Sequence, residues 1–408
     1  MPHEIDSHSQ IPYNMAKSLN SFWRKSIKRL GKIQQAQGNR LFKSLLTQVV
    51  RAKPVRRAKS AKPAKPFKAR PVKAAKLGRP PPAAPARPVT ALAGTWQKSY
   101  FSSAGRGQTA PGRRLLYWLY RPAVTSSATR AAMPLVVMLH GCQQTAADFA
   151  TATRMNQLAE RKGFAVLYPQ QSVVADAQRC WHWYQRATQQ GQGDVRLVAD
   201  MIAQVQQRHG LDVSRTYVAG LSAGAALACL VALRHPELIA AAGLHSAPVF
   251  GTTDTAMGAY RVMQQGSGTA YSKKAHEFAN TLPLPAAKSG MPVILLQGER
   301  DPVVRRINVE QLSQQFQIIN AACITRSEPL RRSYPARTGG RKPHPAYDTV
   351  TYYAGRKPQI MKCEIGALGH AWSGGDDSVA FSTRAGPDAT QMMWNFFMRH
   401  RRSSPEQR

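Results

Sequence analysis

The sequence predicts an α/β fold with a mostly parallel central sheet flanked by helices. Three observations carry that prediction. From about residue 95 onward, short aliphatic and β-branched runs alternate with longer stretches of helical periodicity, the pattern of strands joined by crossover helices. At one junction, between Thr216–Ala219 and the helix-prone run 223–234, stands Gly220-Leu221-Ser222-Ala223-Gly224. This G-x-S-x-G form is that of a nucleophile elbow, a tight strand-to-helix turn that exposes a serine hydroxyl on a strained corner. Finally, no run in the 408 residues reaches the ~18 apolar residues of a membrane span. The nearest, Val218 to Leu233, contains the pentapeptide and reads as buried core.

Three regions follow one another along the chain. Residues 1–50 form an amphipathic helical segment. Over 15–50, Leu19, Phe22, Trp23, Ile27, Leu30 and Ile33 fall on one face at a period of 3.6, with Arg24, Lys25, Lys28 and Lys32 mostly opposite. Such a helix packs on a folded domain, or lies apolar face down on a surface such as an anionic membrane. Residues 51–92, rich in Lys, Ala and Pro, bury too little apolar area to offset chain entropy and are expected to be a disordered linker or tail. The net charge of +36 is uneven: residues 1–92 hold 21 Lys and Arg against Glu4 and Asp6. A segment so basic favours polyanions, so 51–92 is expected to make non-specific nucleic-acid contacts, with only Phe67 as an aromatic to stack. The polar start MPHEIDSHSQ shows no secretory signal, which points to the cytoplasm.

Residues 93–402 are expected to form the α/β domain. Its expected strands are Leu115–Tyr120, Leu135–Leu139, Ala165–Tyr168, Thr216–Ala219, Ala240–His245, Val293–Gln297, Val350–Tyr353 and Ile360–Glu364. Its expected helices are 147–162, 194–209, 223–234, 308–319 and 389–400, and the Arg-, Pro- and Gly-rich stretch 326–348 reads as a surface excursion. Right-handed crossovers then bring the strand C-termini, where sites form, to one edge.

The pentapeptide alone is modest evidence, since chance supplies about 0.1 such matches in a chain of this length. A serine hydroxyl also needs a base, and the base an orienting carboxylate. Downstream of Ser222 the order serine, acid, base is available. Asp301 follows the strand in MPVILLQGERDPVV, with Glu299 as its competitor. His370 lies in the glycine-flexed GALGHAW, and His344 and His400 are poorer placed. An oxyanion hole needs two N–H groups. Ala223 supplies one, and the loop His140-Gly141-Cys142-Gln143 after an early strand supplies the other, from Cys142 or alternatively Gln143. Cys142 lacks an elbow and is a poor nucleophile, although it could pair with Cys180 where conditions are oxidising. Trp181 and Trp372, with Gln143, are candidates to contact substrate, the tryptophans as a clamp on an acyl chain. No phosphate-binding loop, HExxH or spaced Cys/His set occurs, so no metal or cofactor is implied.

The flanks of these residues resemble one family. LHGCQQTAADFATATRMNQLAERKGFAVLYPQQ, CWHWY, GQGDVRLVADMI, TYVAGLSAGAALA, PVILLQGERDPVV and GALGHAWSGG are similar, in that order over roughly residues 95–400, to the polyhydroxybutyrate (PHB) depolymerase family of esterases. The resemblance implies an α/β-hydrolase fold and serine esterase chemistry. It also implies Ser222, Asp301 and His370 as triad and poly(3-hydroxybutyrate) or 3-hydroxyalkanoate oligomers as substrate. Feruloyl and acetylxylan esterases are similar too and stand as the alternative. Ala225 replaces a more usual glycine, and His182 an asparagine between two tryptophans; the latter bears on substrate preference. With a polyester substrate, the segment 15–50 is expected to dock on a polyester granule in the cytoplasm; many family members are exported, and an extracellular location is the alternative. A peptidase on the same fold, and a tether joining granules to nucleic acid with secondary catalysis, are the remaining readings.

Overall fold

A computed structural model describes residues 92–103, 112–123, 132–268, 271–283, 290–338 and 344–402. The amphipathic segment 15–50, and all of the basic 51–92 except Leu92, lie outside the described residues.

The sheet is built around six parallel strands: β3 (Leu135–Leu139), β4 (Ala165–Gln170), β5 (Thr216–Leu221), β6 (Ala241–His245), β7 (Val293–Gly298) and β10 (Lys357–Ile365), in spatial order β4-β3-β5-β6-β7-β10. Leu135 to Leu139, Thr216 to Leu221 and Val293 to Gly298 are buried at every position, as expected where helices cover both faces. Antiparallel strands extend both ends. β1 (Thr95–Ser102) and β2 (Arg114–Arg121) join beside β4, and β9 (Tyr347–Ala354) and β8 (Leu330–Tyr334) beside β10. The outer β1 alternates exposed and half-buried residues over much of its length, the pattern of a strand with one wet face.

Two helical layers cover the sheet. On one face, α4 (Gly193–His209), α5 (Ala223–Arg234), α6 (Ala256–Gln265), α7 (Tyr271–Ala279) and α8 (Ile307–Ile319) pack on Leu135, Val137, Val218 and Leu295. On the other, α1 (Ala146–Thr153), α2 (Met155–Lys162) and α9 (Ala389–Phe397) pack on Val136, Met138, Tyr217 and Ile294. The alternation of strand residues between the layers follows from the two-residue period of a strand. The short α3 (Arg186–Gln189) precedes α4, and a two-stranded ribbon, β11 (Trp372–Ser373) with β12 (Ser382–Thr383), follows β10. Among the described residues no helix is long and apolar enough to cross a membrane.

Two expectations change. The single helix 147–162 is two, α1 and α2, broken at Arg154, whose φ of 54° is left-handed. Ala146, Phe149, Ala150 and Thr153 are buried in α1, and an unbroken helix would next turn Gln157, Glu160 and Arg161 inward. The left-handed residue resets the phase so that Met155, Leu158 and Ala159 are buried instead. The excursion 326–348 supplies an edge strand, β8, whose Arg331 and Arg332 are exposed. Charge on an edge strand blocks edge-to-edge association, which is why its composition reads as loop.

Candidate active site

The elbow sits at the centre of the sheet. Ser222 ends β5 with φ 56° and ψ −122°, outside the ordinary regions for an L-residue. Its N–H donates to the His245 carbonyl (3.0 Å), and its own carbonyl accepts from Ala226 (3.0 Å) as α5 begins. The two glycines permit this corner. A Cβ on Gly220 would lie 2.5 Å from the Gly224 carbonyl, and one on Gly224 would collide with the Leu139 carbonyl oxygen.

The register brings the other candidates to the same edge. Leu221 pairs with His245, His245 with Leu296, and Gly298 with Ile365, so the turns after β5, β6, β7 and β10 all leave one side of the sheet. In the turn after β7, Asp301 is 4% exposed and accepts four hydrogen bonds. Oδ1 takes the N–H groups of Val303 and Val304 (both 2.9 Å), and Oδ2 takes Gln297 Nε2 (3.2 Å) and His370 Nδ1 (2.8 Å). Burial pushes the Asp301 carboxyl up, but the His370 charge and hydrogen bond, with the two amides, outweigh it and hold it below the usual carboxylate range. Glu299, its competitor in the sequence, is exposed. His370 therefore carries its ring proton on Nδ1, and Nε2 is the nitrogen left to accept one. Phe381 packs edge-on to the ring, 6.3 Å between centroids.

On the other flank, the loop after β3 is held from every side. His140 is buried. Its Nε2 accepts the Gln171 N–H (3.1 Å), so Nδ1 donates to the Gly141 carbonyl (2.8 Å), and burial lowers its pKa to about 4. Trp181 Nε1 donates to the His140 carbonyl (3.1 Å), and a disulfide joins Cys142 to Cys180. Within this loop, Gly141 donates to Gln144 Oε1 (2.9 Å) and Gln143 to the Gln178 carbonyl (2.6 Å). Gln143 is thereby removed as the alternative oxyanion donor, while its side chain stays exposed. The Cys142 amide has no acceptor among the described residues.

Behind this loop lies a cluster of buried charge. Asp194, 1% exposed, pairs with Arg113 (2.8 Å) and accepts from Gln171 Nε2 and the His182 N–H (both 3.0 Å). Asp176 accepts the N–H groups of Gln178 (2.8 Å) and Cys180 (3.1 Å) and lies 3.5 Å from His182 Nε2. Asp176 raises the His182 pKa, against burial and with help from Asp194. For Asp176, burial acts upward, but His182 and the two amides prevail and lower it.

Trp181 and Trp372 do not fit a substrate clamp. Both are 0% exposed, Trp372 donating to Thr390 Oγ1 (3.1 Å) and packing on Phe149. Each aromatic ring fixes a loop from behind. His344 packs edge-on to Tyr347, and His400 is buried near the end of the last helix, away from Asp301.

Four side chains escaped the sequence reading: His245, Gln297, Asp194 and Phe381. His245 is 0% exposed. Its Nε2 accepts the Ser373 N–H (3.3 Å), its ring stacks on Trp372, and burial lowers its pKa to about 3, so it stays neutral. It thus ties the elbow to the strand after the base. Gln297 stands at a strand end, where its burial and its reach back to Asp301 were the only available signal. Among the described residues no group of three His, Cys, Asp or Glu side chains is placed to hold a metal.

The chain is similar to known proteins in sequence and in fold. Residues 115–337 match the family described as esterase PHB depolymerase. Poly(3-hydroxyalkanoate) depolymerase C of Paucimonas lemoignei is 37% identical over 126 residues, 31% of this chain and 29% of that protein. Probable acetylxylan esterase A of Aspergillus fumigatus is 35% identical over 114 residues, 28% and 30% of the two chains. The matches thus span under a third of the length of these relatives. Among solved structures, an acetyl xylan esterase from Aspergillus awamori superposes with a TM-score of 0.55 at 19% identity, covering 74% of this chain and 99% of that one, and shares the α/β-hydrolase fold.

Proposed function

As the chain belongs to the PHB depolymerase family of esterases, we propose that it is a serine ester hydrolase acting on poly(3-hydroxybutyrate) or 3-hydroxyalkanoate oligomers through an acyl-enzyme. One observation carries the reading: the strained Ser222 corner shares a sheet edge with a buried Asp301–His370 pair. In the first half-reaction, His370 Nε2 takes the Ser222 proton as Oγ attacks the ester carbonyl. The N–H groups of Cys142 and Ala223 receive the oxyanion. Collapse expels the alcohol, which takes its proton from His370. In the second half-reaction, water gives its proton to His370 and its oxygen to the acyl carbon, releasing the acid and restoring Ser222. Asp301 holds the imidazole in the tautomer that leaves Nε2 free and stabilises the imidazolium.

Hydrolysis of p-nitrophenyl butyrate tests the chemistry. Ser222→Ala is expected to lower kcat by at least about 10³-fold; full activity in that variant excludes the triad. A second reading, removal of acetyl groups from xylan, is favoured by the Aspergillus relative and the 0.55 superposition. A panel of PHB granules, hydroxybutyrate oligomers, methyl ferulate and acetylated xylan separates the two by which ester has the highest kcat/KM.

A further inference from the structure

A cavity of about 1420 Å³ is not lined by the catalytic candidates. It lies against the back of the loop that carries His370. Gly366, Ala367, Leu368, Gly369 and Ala371 form one wall, while His370 between them turns to Asp301. Further lining comes from α2, from residues 336–338 and 344–345 between β8 and β9, from residues 383–387, and from α9.

The cavity is cationic. Arg154, Arg161, Arg337 and Arg384 line it against a single carboxylate, Asp388, whose Oδ1 caps α9 by accepting from the Gln391 N–H (3.0 Å). Arg154 and Arg384 have partners outside the lining, Asp376 at 3.5 Å and Asp377 at 2.8 Å. Both pairs are solvent-accessible and so weak. Arg161 and Arg337 are exposed and make no ion pair among the described residues. The N-terminal turn of α9 adds its positive dipole end. The lining also carries apolar side chains, Leu158, Pro345, Tyr347, Pro387 and Met392, alongside neutral polar ones such as Gln157, Thr338 and Asn395. Fixed cations beside apolar and neutral polar surface suit an uncharged aliphatic ester chain with one anionic end.

We propose that this cavity is a chain-end site that binds the terminal carboxylate of a hydroxyacyl oligomer, with Arg161 and Arg337 as its anion-recognising residues. The proposal rests on the ester-hydrolase reading and sharpens it. A hydroxyalkanoate oligomer carries one carboxylate, at one end, and is otherwise a neutral aliphatic ester. Guanidinium groups recognise carboxylates in a planar, paired geometry. A chain anchored here lies one loop away from the base, so the site favours soluble acid-ended oligomers over uncharged esters.

The test compares a hydroxybutyrate oligomer as its free acid with the same oligomer as its methyl ester, which lacks the terminal charge. For the wild-type enzyme the free acid is expected to have a KM about tenfold lower at low salt, the size of one good charge-assisted contact, and the preference should fade as salt is raised. In the double variant Arg161→Gln, Arg337→Gln the preference should disappear, while p-nitrophenyl butyrate turnover stays at the wild-type rate. Calorimetry on Ser222→Ala protein measures the affinities for both forms directly and does not depend on turnover. Equal affinity for acid and methyl ester, or an acid preference that survives the double variant, overturns the chain-end site. Loss of the ester-hydrolase reading would show separately, as no Ser222-dependent hydrolysis of p-nitrophenyl butyrate.

Discussion

The two flanks of the Ser222 elbow are built by different means. The oxyanion flank is cross-linked: a disulfide, an indole hydrogen bond and a buried cluster of Asp176, His182 and Asp194, paired with the half-exposed Arg113, hold it. The base flank has no cross-link. Asp301 is fixed by Val303, Val304 and Gln297, and His370 sits in a glycine-containing loop with a cavity behind it. Two of the histidines differ in kind: His182 is drawn toward the charged form by carboxylates, whereas His245 is kept neutral by burial, as is His140 within the oxyanion loop. An oxyanion hole works by being fixed before the reaction; a base must pass protons between two partners, and hydrogen bonds suffice to aim it. The difference separates a flank that is preorganised from one that is aimed.

Perturbing the aim should have the largest effect. Asp301→Asn keeps the shape but disfavours the tautomer with Nε2 free, and kcat should fall about 10⁴-fold with KM little changed. A loss below tenfold would mean that the carboxylate does not orient His370. Loosening the preorganised flank should cost less. The double variant Cys142→Ala, Cys180→Ala leaves the Cys142-position amide in the chain but frees its loop. The kcat is then expected to drop by up to about 10²-fold, at most the loss of one oxyanion donor. Unchanged kcat would show that the hydrogen bonds alone fix the loop.

The smallest effect is on stability, and its sign differs between His182 and His245. His245 has a folded pKa of about 3, below its unfolded value of ~6.5. Between those values the unfolded chain binds more protons, so stability present above pH 6.5 is lost as pH falls, by about 1.4 kcal/mol at pH 5.5. His182 is raised, so its contribution is complete below ~6.5 and is lost as pH rises through the folded value. Thermal unfolding at several pH values should show His245→Gln flattening the acid side of the wild-type profile. The deficit of His182→Gln should be greatest at acid pH and shrink toward alkaline pH. Parallel profiles for both variants would contradict the contrast.

Much of this was readable in the chain, because the pieces that make an elbow are local. The glycines around Ser222, the apolar strands before Asp301 and His370, and the early His140-Gly141 loop all announce themselves by neighbours in sequence. What escaped depends on distance. His245 reads as the last residue of a strand, and only the fold reveals that its carbonyl receives the Ser222 amide. Asp194 reads as a helix-starting acid, and only burial makes it an anchor. Trp181 and Trp372 were misread because an aromatic beside a catalytic motif faces either the substrate or the core, and sequence does not distinguish them. The break at Arg154 escaped because both halves are good helix; the signal was the phase of the buried stripe.

The central claim is that Ser222 is the nucleophile, activated through His370. It is tested most directly by covalent labelling with a fluorophosphonate ester followed by peptide mapping. The account predicts one adduct, on Ser222, formed rapidly in the wild-type protein, slowly in His370→Ala and not at all in Ser222→Ala. Rapid labelling of another residue, or labelling of Ser222 at an unchanged rate without His370, would contradict it.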